Sequence, residues 1–200
     1  MIKSQVTASE ALNCLIKGNA EYEAASRNAG EIGLEKRKDL AINGQHPFAI
    51  VITCSDSRTP PEHIFNTGLG ELFVIRNAGN LVGDYERGSV EYAAGHLGIP
   101  LVVIMGHDNC GAVNGALESE SAEGYLNYLI EEINRSVKIA REKGLSGKEL
   151  VSAVEDLNIS NSEQRLMESP VISELVKNGK LMIVKVKYSL ETGKVTLFNK

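Results

Sequence analysis

At 200 residues and 42% hydrophobic content, the chain is long and apolar enough for one compact domain with a sizeable core. Its net charge of -5, with acidic and basic residues interspersed, argues against a nucleic-acid partner, because a phosphate backbone requires a basic face. No apolar run approaches the roughly 20 residues of a membrane span and the first twenty residues lack a secretory signal, so we expect a cytoplasmic protein without a membrane partner.

The first predicted element is an amphipathic helix near the N-terminus. Thr7 and Glu10 have the spacing of a capping box, in which two residues satisfy free amides at the start of a helix. Apolar side chains then recur on one helical face, at Ala11, Leu12, Leu15 and Ile16. Such a face needs a surface to pack on, and a polar segment separates it from the first apolar run.

Three uninterrupted apolar runs predict the central strands of a sheet, at residues 48–53, 72–75 and 101–105. Runs of this kind are typical of strands that are covered on both faces. The stretch 88–98, between the second and third runs, has a helical pattern. Strands that alternate with helices form parallel sheets through right-handed crossovers, which indicates a parallel central sheet.

The C-terminal half predicts further helices and an antiparallel edge. Helices are expected over 126–137, from Ser146 and from Ser169. Residues 181–188 and 194–198 predict a final strand and its hairpin partner. We therefore predict an α/β fold with a mostly parallel central β-sheet flanked by helices, an antiparallel C-terminal edge strand and a projecting N-terminal helix. Residues 1–200 would form a single domain, with an N-terminal helical arm at 1–45 and an α/β core at 46–200.

Polar clusters follow two of the predicted central strands, where a core would not place them. Cys54 follows the first strand, and His107 with Cys110 follows the third. Ligands bind at the carboxyl ends of parallel strands, so neighbouring strands would bring the three side chains together. Two thiolates and an imidazole suit zinc, and three protein ligands leave the fourth tetrahedral position open, as in catalytic zinc sites. Cys54 alone would more often be a small core residue, so the prediction depends on the joint placement.

Asp56 and Arg58 come two and four residues after the first predicted ligand. Asp56 lies near enough in sequence to accept the proton of a zinc-bound hydroxide, and it is also able to ligate the metal itself. A bidentate contact from Arg58 would hold the carboxylate ionised and away from the metal. Our hypothesis is that this pair gates the metal.

Three segments resemble the signatures of beta-class carbonic anhydrases. They are Cys54-Ser55-Asp56-Ser57-Arg58, Arg76-Asn77-Ala78-Gly79-Asn80, and Gly106-His107 through Cys110-Gly111-Ala112. The resemblance extends over most of the chain and implies reversible hydration of carbon dioxide to bicarbonate and a proton by zinc-bound hydroxide. It implies one zinc ion per subunit, with Cys54, His107 and Cys110 as ligands and with Asp56 and Arg58 as the catalytic dyad.

The resemblance also implies a carbon dioxide pocket that spacing alone does not reveal. Its residues would be Gln45, Phe73, Ala78, Gly79 and Tyr92, some of them from a neighbouring subunit. Members of this family usually pair through N-terminal helices and sheet edges, which implies a homodimer or homotetramer. A second subunit would then supply the surface that the N-terminal helix needs.

Two alternative functions stay open. The same scaffold could hydrolyse carbonyl sulfide or carbon disulfide, because an activated water attacks any small linear electrophile with a carbon centre. A catalytically inert zinc-binding protein is the other alternative, although it would gain little from Asp56 and Arg58. The remaining cysteine, Cys14, has no chelating neighbour and is predicted to lie in the core, and the other three histidines are assigned no role.

Overall fold

One mixed β-sheet forms the centre of the molecule. The computed structural model describes residues 6–25, 28 and 30–198. Within them the strands are β1 (Ala49–Cys54), β2 (Leu72–Asn77), β3 (Leu101–His107), β4 (Met182–Tyr188) and β5 (Val195–Leu197). They lie in the order β2-β1-β3-β4-β5, and neighbours run parallel except β4 and β5. The predicted fold class is confirmed, whereas the predicted domain limits at 1 and 200 lie outside the described residues.

Helices pack on both faces of this sheet. They are α1 (Ala8–Ala25), α2 (Leu34–Asn43), α3 (Pro61–Ile64), α4 (Asp84–Glu91), a π-helical segment (Tyr92–His96), α5 (Gly111–Glu118), α6 (Leu126–Glu142), α7 (Gly147–Met167) and α8 (Pro170–Lys177). The predicted capping box is confirmed, since Glu10 Oε2 accepts from the Thr7 amide at 2.7 Å and Thr7 Oγ1 accepts from the Glu10 amide at 3.2 Å. In the described part of the chain, no helix is both long and apolar enough to cross a membrane.

The two central strands, β1 and β3, are buried along their whole length. Successive side chains of a strand point to opposite faces of the sheet. Ile50 and Ile52 of β1 therefore pack in one cluster with Ile159 of α7, while Val51 packs on the other face with Leu15 of α1. This double cover explains why the sequence shows continuous apolar runs in place of alternation.

Helix α1 packs against the sheet of its own chain. Ala11 and Leu15 are fully buried there, and Asn19 makes hydrogen bonds with three backbone groups beneath it, in α3, in the turn before β5 and at the start of β5. The N-terminal helix therefore packs on a surface of its own chain. From the sequence, a second subunit was expected to supply that surface. Cys14 of α1 is exposed, so the prediction that it lies in the core was wrong.

Helix α2 was not predicted. It occupies the polar segment between α1 and β1, and none of its residues is buried. A helix that contributes no side chain to the core has no need of an apolar stripe, so periodicity gives no signal for it.

The strand order determines where the site lies. Strands β1 and β3 are neighbours, with Ile52 opposite Ile104 and Thr53 opposite Met105. Because the strands are parallel, both end at the same edge of the sheet. The polar residues that follow them, beginning at Cys54 and His107, are therefore brought side by side.

Candidate metal centre

The structure brings the three predicted metal ligands together at the carboxyl edge of the sheet. Cys54 is the last residue of β1, His107 is the last residue of β3, and Cys110 immediately precedes α5. Their ligand atoms all lie within 4.8 Å of one another, and each residue is at least 95% buried. A tetrahedral zinc ion with ordinary bond lengths would place such donors about 3.6–3.8 Å apart, so the cluster fits this metal.

The imidazole of His107 is oriented for a metal. Its Nδ1 lies 2.8 Å from the carbonyl oxygen of Asp108, a distance at which the Nδ1–H group donates a hydrogen bond. That bond leaves Nε2 as the unprotonated nitrogen with a free lone pair. Nε2 is buried and has no hydrogen-bond partner among the described residues. A buried nitrogen without a partner is costly, and a metal ion would satisfy it.

The two cysteines differ in their surroundings. The sulfur of Cys54 accepts hydrogen bonds from the backbone amides of Asp56 and Gly79, both at 3.4 Å. A hydrogen bond from Cys110, supported by these amides, lowers the pKa of Cys54 to about 4 against the opposing effect of burial. The same hydrogen bond and burial raise the pKa of Cys110. Cys54 is therefore the sulfur that the protein prepares as a thiolate, and metal binding would displace the proton from Cys110.

Asp56 and Arg58 form the predicted bidentate pair. Arg58 Nε donates to Asp56 Oδ1 at 2.9 Å and Arg58 Nη2 donates to Oδ2 at 2.7 Å, while the Arg58 backbone amide also donates to Oδ1 at 2.9 Å. These bonds hold the pKa of Asp56 well below its usual range. Asp56 Oδ2 lies 4.0 Å from His107 Nε2, so the carboxylate borders the metal-ligand cluster without belonging to it.

The loop that carries Asp56 is held by residues that sequence reasoning missed. Arg76 Nε donates to the Cys54 carbonyl at 2.9 Å, and Arg76 Nη2 donates to the Asp56 carbonyl at 2.6 Å. Thr59 Oγ1 lies within hydrogen-bond distance of the same two carbonyls, at 3.1 and 3.0 Å. Arg76 stands in the second segment of the family signature, but one sequence gave no sign of what it binds.

The predicted pocket residues fall into separate groups within this chain. Gly79 is buried beside the Cys54 sulfur, and Ala78 precedes it. Phe73 and Tyr92 lie together, with ring centroids 6.3 Å apart. Phe73 is four positions before the end of β2, so it lies about 13 Å along the strand from that end, at 3.3 Å per residue. Gln45 is exposed in the segment before β1. The structure therefore places Gly79 at the ligand cluster, but not Phe73.

Fold and site together define an α/β protein with a buried three-donor cluster that could hold a metal ion, at the sheet edge where such proteins bind ligands. The sequence profile described as carbonic anhydrase matches residues 49–195. The chain belongs to the carbonic anhydrase family, a family of carbonate dehydratases, and within it to the beta class.

Relatives and solved structures agree with this membership. The chain is 38% identical over 192 residues to carbonic anhydrase 2 of Mycobacterium tuberculosis, and the match covers 94% of this chain and 91% of the relative. It is 35% identical over 192 residues to a carbonic anhydrase of Mycolicibacterium smegmatis, with the same coverage of both chains. A structure described as a beta-carbonic anhydrase, CafA of Aspergillus fumigatus, matches with a TM-score of 0.75 and 28% identity, covering 96% of this chain and 90% of that one. A structure from a report on two tetrameric beta-carbonic anhydrases of Sordaria macrospora matches with a TM-score of 0.74 and 27% identity, covering 90% and 97%.

Proposed function

We propose that this chain catalyses the reversible hydration of carbon dioxide to bicarbonate and a proton, with one zinc ion per subunit bound by Cys54, His107 and Cys110. The observation that carries the proposal is the buried Cys-His-Cys cluster with Asp56 Oδ2 only 4.0 Å from His107 Nε2. Three ligands leave a coordination position for water, and a carboxylate borders it.

The residues divide the chemistry between them. A bound zinc ion would lower the pKa of a coordinated water and so supply the nucleophile. Asp56 would accept a hydrogen bond from such a water and orient it toward the carbon of the substrate. Arg58 keeps Asp56 ionised and turned away from the ligand position, because its fork occupies both carboxylate oxygens. This is the gate that the sequence suggested.

The substrate pocket is proposed to form between subunits. Phe73 and Tyr92 lie on and beside β2, an outer strand of the sheet, and Tyr92 is 47% exposed. Since Phe73 is remote from the ligand cluster of its own chain, we propose that these aromatic residues line the pocket of a neighbouring subunit in a homodimer or homotetramer. Ala78 and Gly79 of the subunit that holds the metal-ligand cluster would then line the other side of the pocket. Gln45 would approach it from the segment before β1.

A stopped-flow assay with a pH indicator tests the proposal. The zinc-loaded protein should hydrate carbon dioxide well above the uncatalysed rate, and metal analysis should find one zinc ion per chain. Asp56→Ala should lose the activity but keep the metal. Equal background rates for both proteins would favour the inert zinc-binding alternative, whereas sulfide release from carbonyl sulfide without carbon dioxide hydration would favour the sulfur hydrolase.

We also propose that the protein works in the cytoplasm. Its three cysteines are unpaired, and one of them, Cys14, is exposed. Free thiols together with a thiolate metal site suit a reducing compartment. Fractionation of cells that express the protein, with markers for each compartment, would test this location.

A further inference from the structure

Helix α7 carries a buried polar stripe next to the metal centre. Glu155, Asn158 and Ser162 follow one another at intervals of three and four residues, so they share one face of the helix. They are 4%, 1% and 1% exposed, and they lie on the side of α7 that also buries Ile159 and Leu166. Polar side chains in such a position are costly to bury unless each has a partner.

Each member of the stripe bonds to the backbone of a loop at the site. Asn158 Nδ2 donates to the Gly79 carbonyl at 2.7 Å, and Ser162 Oγ donates to the Asn80 carbonyl at 2.8 Å. Glu155 Oε1 accepts from the amide of Cys110 at 3.4 Å. One face of one helix thus touches two of the loops that border the predicted metal position.

The Asn158 contact leads directly to a ligand sulfur. The Gly79 residue whose carbonyl Asn158 holds also donates its own amide to Cys54 Sγ. Gly79 has φ of +83°, a conformation that glycine adopts without strain. A hydrogen bond to its carbonyl limits the rotation of this residue and so keeps the amide aimed at the sulfur.

The remaining atom of the Asn158 amide has no structural use among the described residues. Its Oδ1 is buried and has no hydrogen-bond partner there. An apolar side chain of the same size would remove this unsatisfied atom but would leave the Gly79 carbonyl without its donor. The amide is therefore best explained by what its other end does.

We propose that Asn158 is a positioning residue of the metal centre, which aims the Gly79 amide at the Cys54 thiolate by holding the Gly79 carbonyl. This inference rests on the proposed metal site. A hydrogen bond to a metal-bound thiolate draws charge from the sulfur, so Asn158 would act on the metal through Gly79 and not by touching substrate.

The test compares two substitutions with a matched control. Asn158→Leu keeps nearly the same size and Asn158→Ala is smaller, and both remove the donor to the Gly79 carbonyl. Ser162→Ala also removes a buried hydrogen bond to this loop, but to Asn80, which does not donate to a ligand sulfur in the structure. Zinc affinity is measured by competition with a chromogenic chelator, and thermal unfolding of the metal-free proteins shows that each variant is folded.

The Asn158 variants should bind zinc about tenfold or more weakly than the parent, the range found when groups behind metal ligands are removed. With cobalt in place of zinc, their thiolate-to-cobalt charge-transfer band should move to longer wavelength, because the sulfur has lost a hydrogen bond. Ser162→Ala should match the parent in both measurements. A folded Asn158 variant with the zinc affinity and cobalt spectrum of Ser162→Ala would overturn the inference.

A measurement on the unaltered protein tests the same contact without a substitution. In protein loaded with ¹¹³Cd, the Gly79 amide proton should show scalar coupling to the metal through the Cys54 sulfur, and absence of this coupling would also overturn the inference. If the parent bound no metal at all, the proposed function and the inference would fail together. If the parent bound zinc and hydrated carbon dioxide but the Asn158 variants did the same with unchanged spectra, only the inference would fail.

Discussion

Replacing Arg58 by alanine removes two of the hydrogen bonds that hold Asp56 away from the metal position. Nε and Nη2 of Arg58 donate to the two carboxylate oxygens, and both bonds disappear with the side chain. The backbone amide of residue 58 still donates to Oδ1 at 2.9 Å in the variant. One carboxylate oxygen, Oδ2, thereby becomes free to turn.

The reach of this oxygen follows from one distance in the structure. Asp56 Oδ2 lies 4.0 Å from His107 Nε2. A zinc ion bound to that nitrogen would be about 2.0–2.1 Å from it, so Oδ2 lies between about 2 and 6 Å from the metal position. Rotation of the freed carboxylate could therefore bring it to the metal position. Because one backbone hydrogen bond survives, we expect the hydration rate to fall by about 10²-fold, the lower end of the range for acid–base groups.

The assay is stopped-flow hydration of carbon dioxide at matched zinc content, accompanied by X-ray absorption spectroscopy of the zinc. Arg58→Lys is the control, since lysine keeps the positive charge but lacks the planar fork. It should fall between the parent and Arg58→Ala in rate, and only Arg58→Ala should gain a carboxylate oxygen ligand. Parent-like activity and coordination in Arg58→Ala would show that the gate hypothesis is wrong.

Three further predictions concern the catalytic dyad, the ion pair between α6 and α7, and the packing of α1. Asp56→Ala should lower the stopped-flow rate by about 10³–10⁴-fold at unchanged zinc content, because it removes the acceptor itself. Glu132→Gln should lower the free energy of unfolding, measured with urea at pH 7, by about 1–2 kcal/mol. This is less than the cost of breaking a fully buried ion pair, because Arg165, the partner of Glu132, is 24% exposed. Hydrogen bonds from Arg165 lower the pKa of Glu132, so this stability is present above about pH 4.3 and is lost as the pH falls through the lowered value. A cost that did not shrink as the pH was lowered would contradict the assignment. Asn19→Ala breaks three hydrogen bonds beneath α1 and should lower the free energy of unfolding by about 2–4 kcal/mol in the same assay. A loss below about 0.5 kcal/mol, the usual range for surface substitutions, would mean that α1 does not depend on these bonds.

Much of the fold was predictable because the central strands are covered on both faces. Continuous apolar runs gave β1, β2 and β3 to within two residues at each end, and the capping residues gave the start of α1. Parallel neighbours with polar residues after them gave the Cys-His-Cys cluster, because the general rule for α/β sheets fixes the edge at which such residues meet.

The supports of the site were not predictable from one sequence. Asn158 and Glu155 contact loops that lie 79 and 45 residues away in the chain, and only the packing of α7 on the sheet brings them there. The polar stripe also interrupts the apolar face of α7. The 3.6-residue apolar pattern of a buried helix is therefore weaker here, because α7 also makes hydrogen bonds to the loops at the site. Exposed helix α2 was missed for the opposite reason, since it buries nothing.

Two thiolates would cancel the formal charge of a zinc ion, which weakens its ability to acidify a bound water compared with three neutral histidines. The structure counters this effect at the Cys54 sulfur, which accepts hydrogen bonds from two backbone amides. Each amide that draws charge from the sulfur leaves more positive charge on the metal. The rate of hydration should therefore rise on the alkaline side, where the bound water loses its proton, and the midpoint of that rise should move to still higher pH in Asn158→Leu. Asp56 does not set this midpoint, since its pKa lies far below the range in which the rate changes.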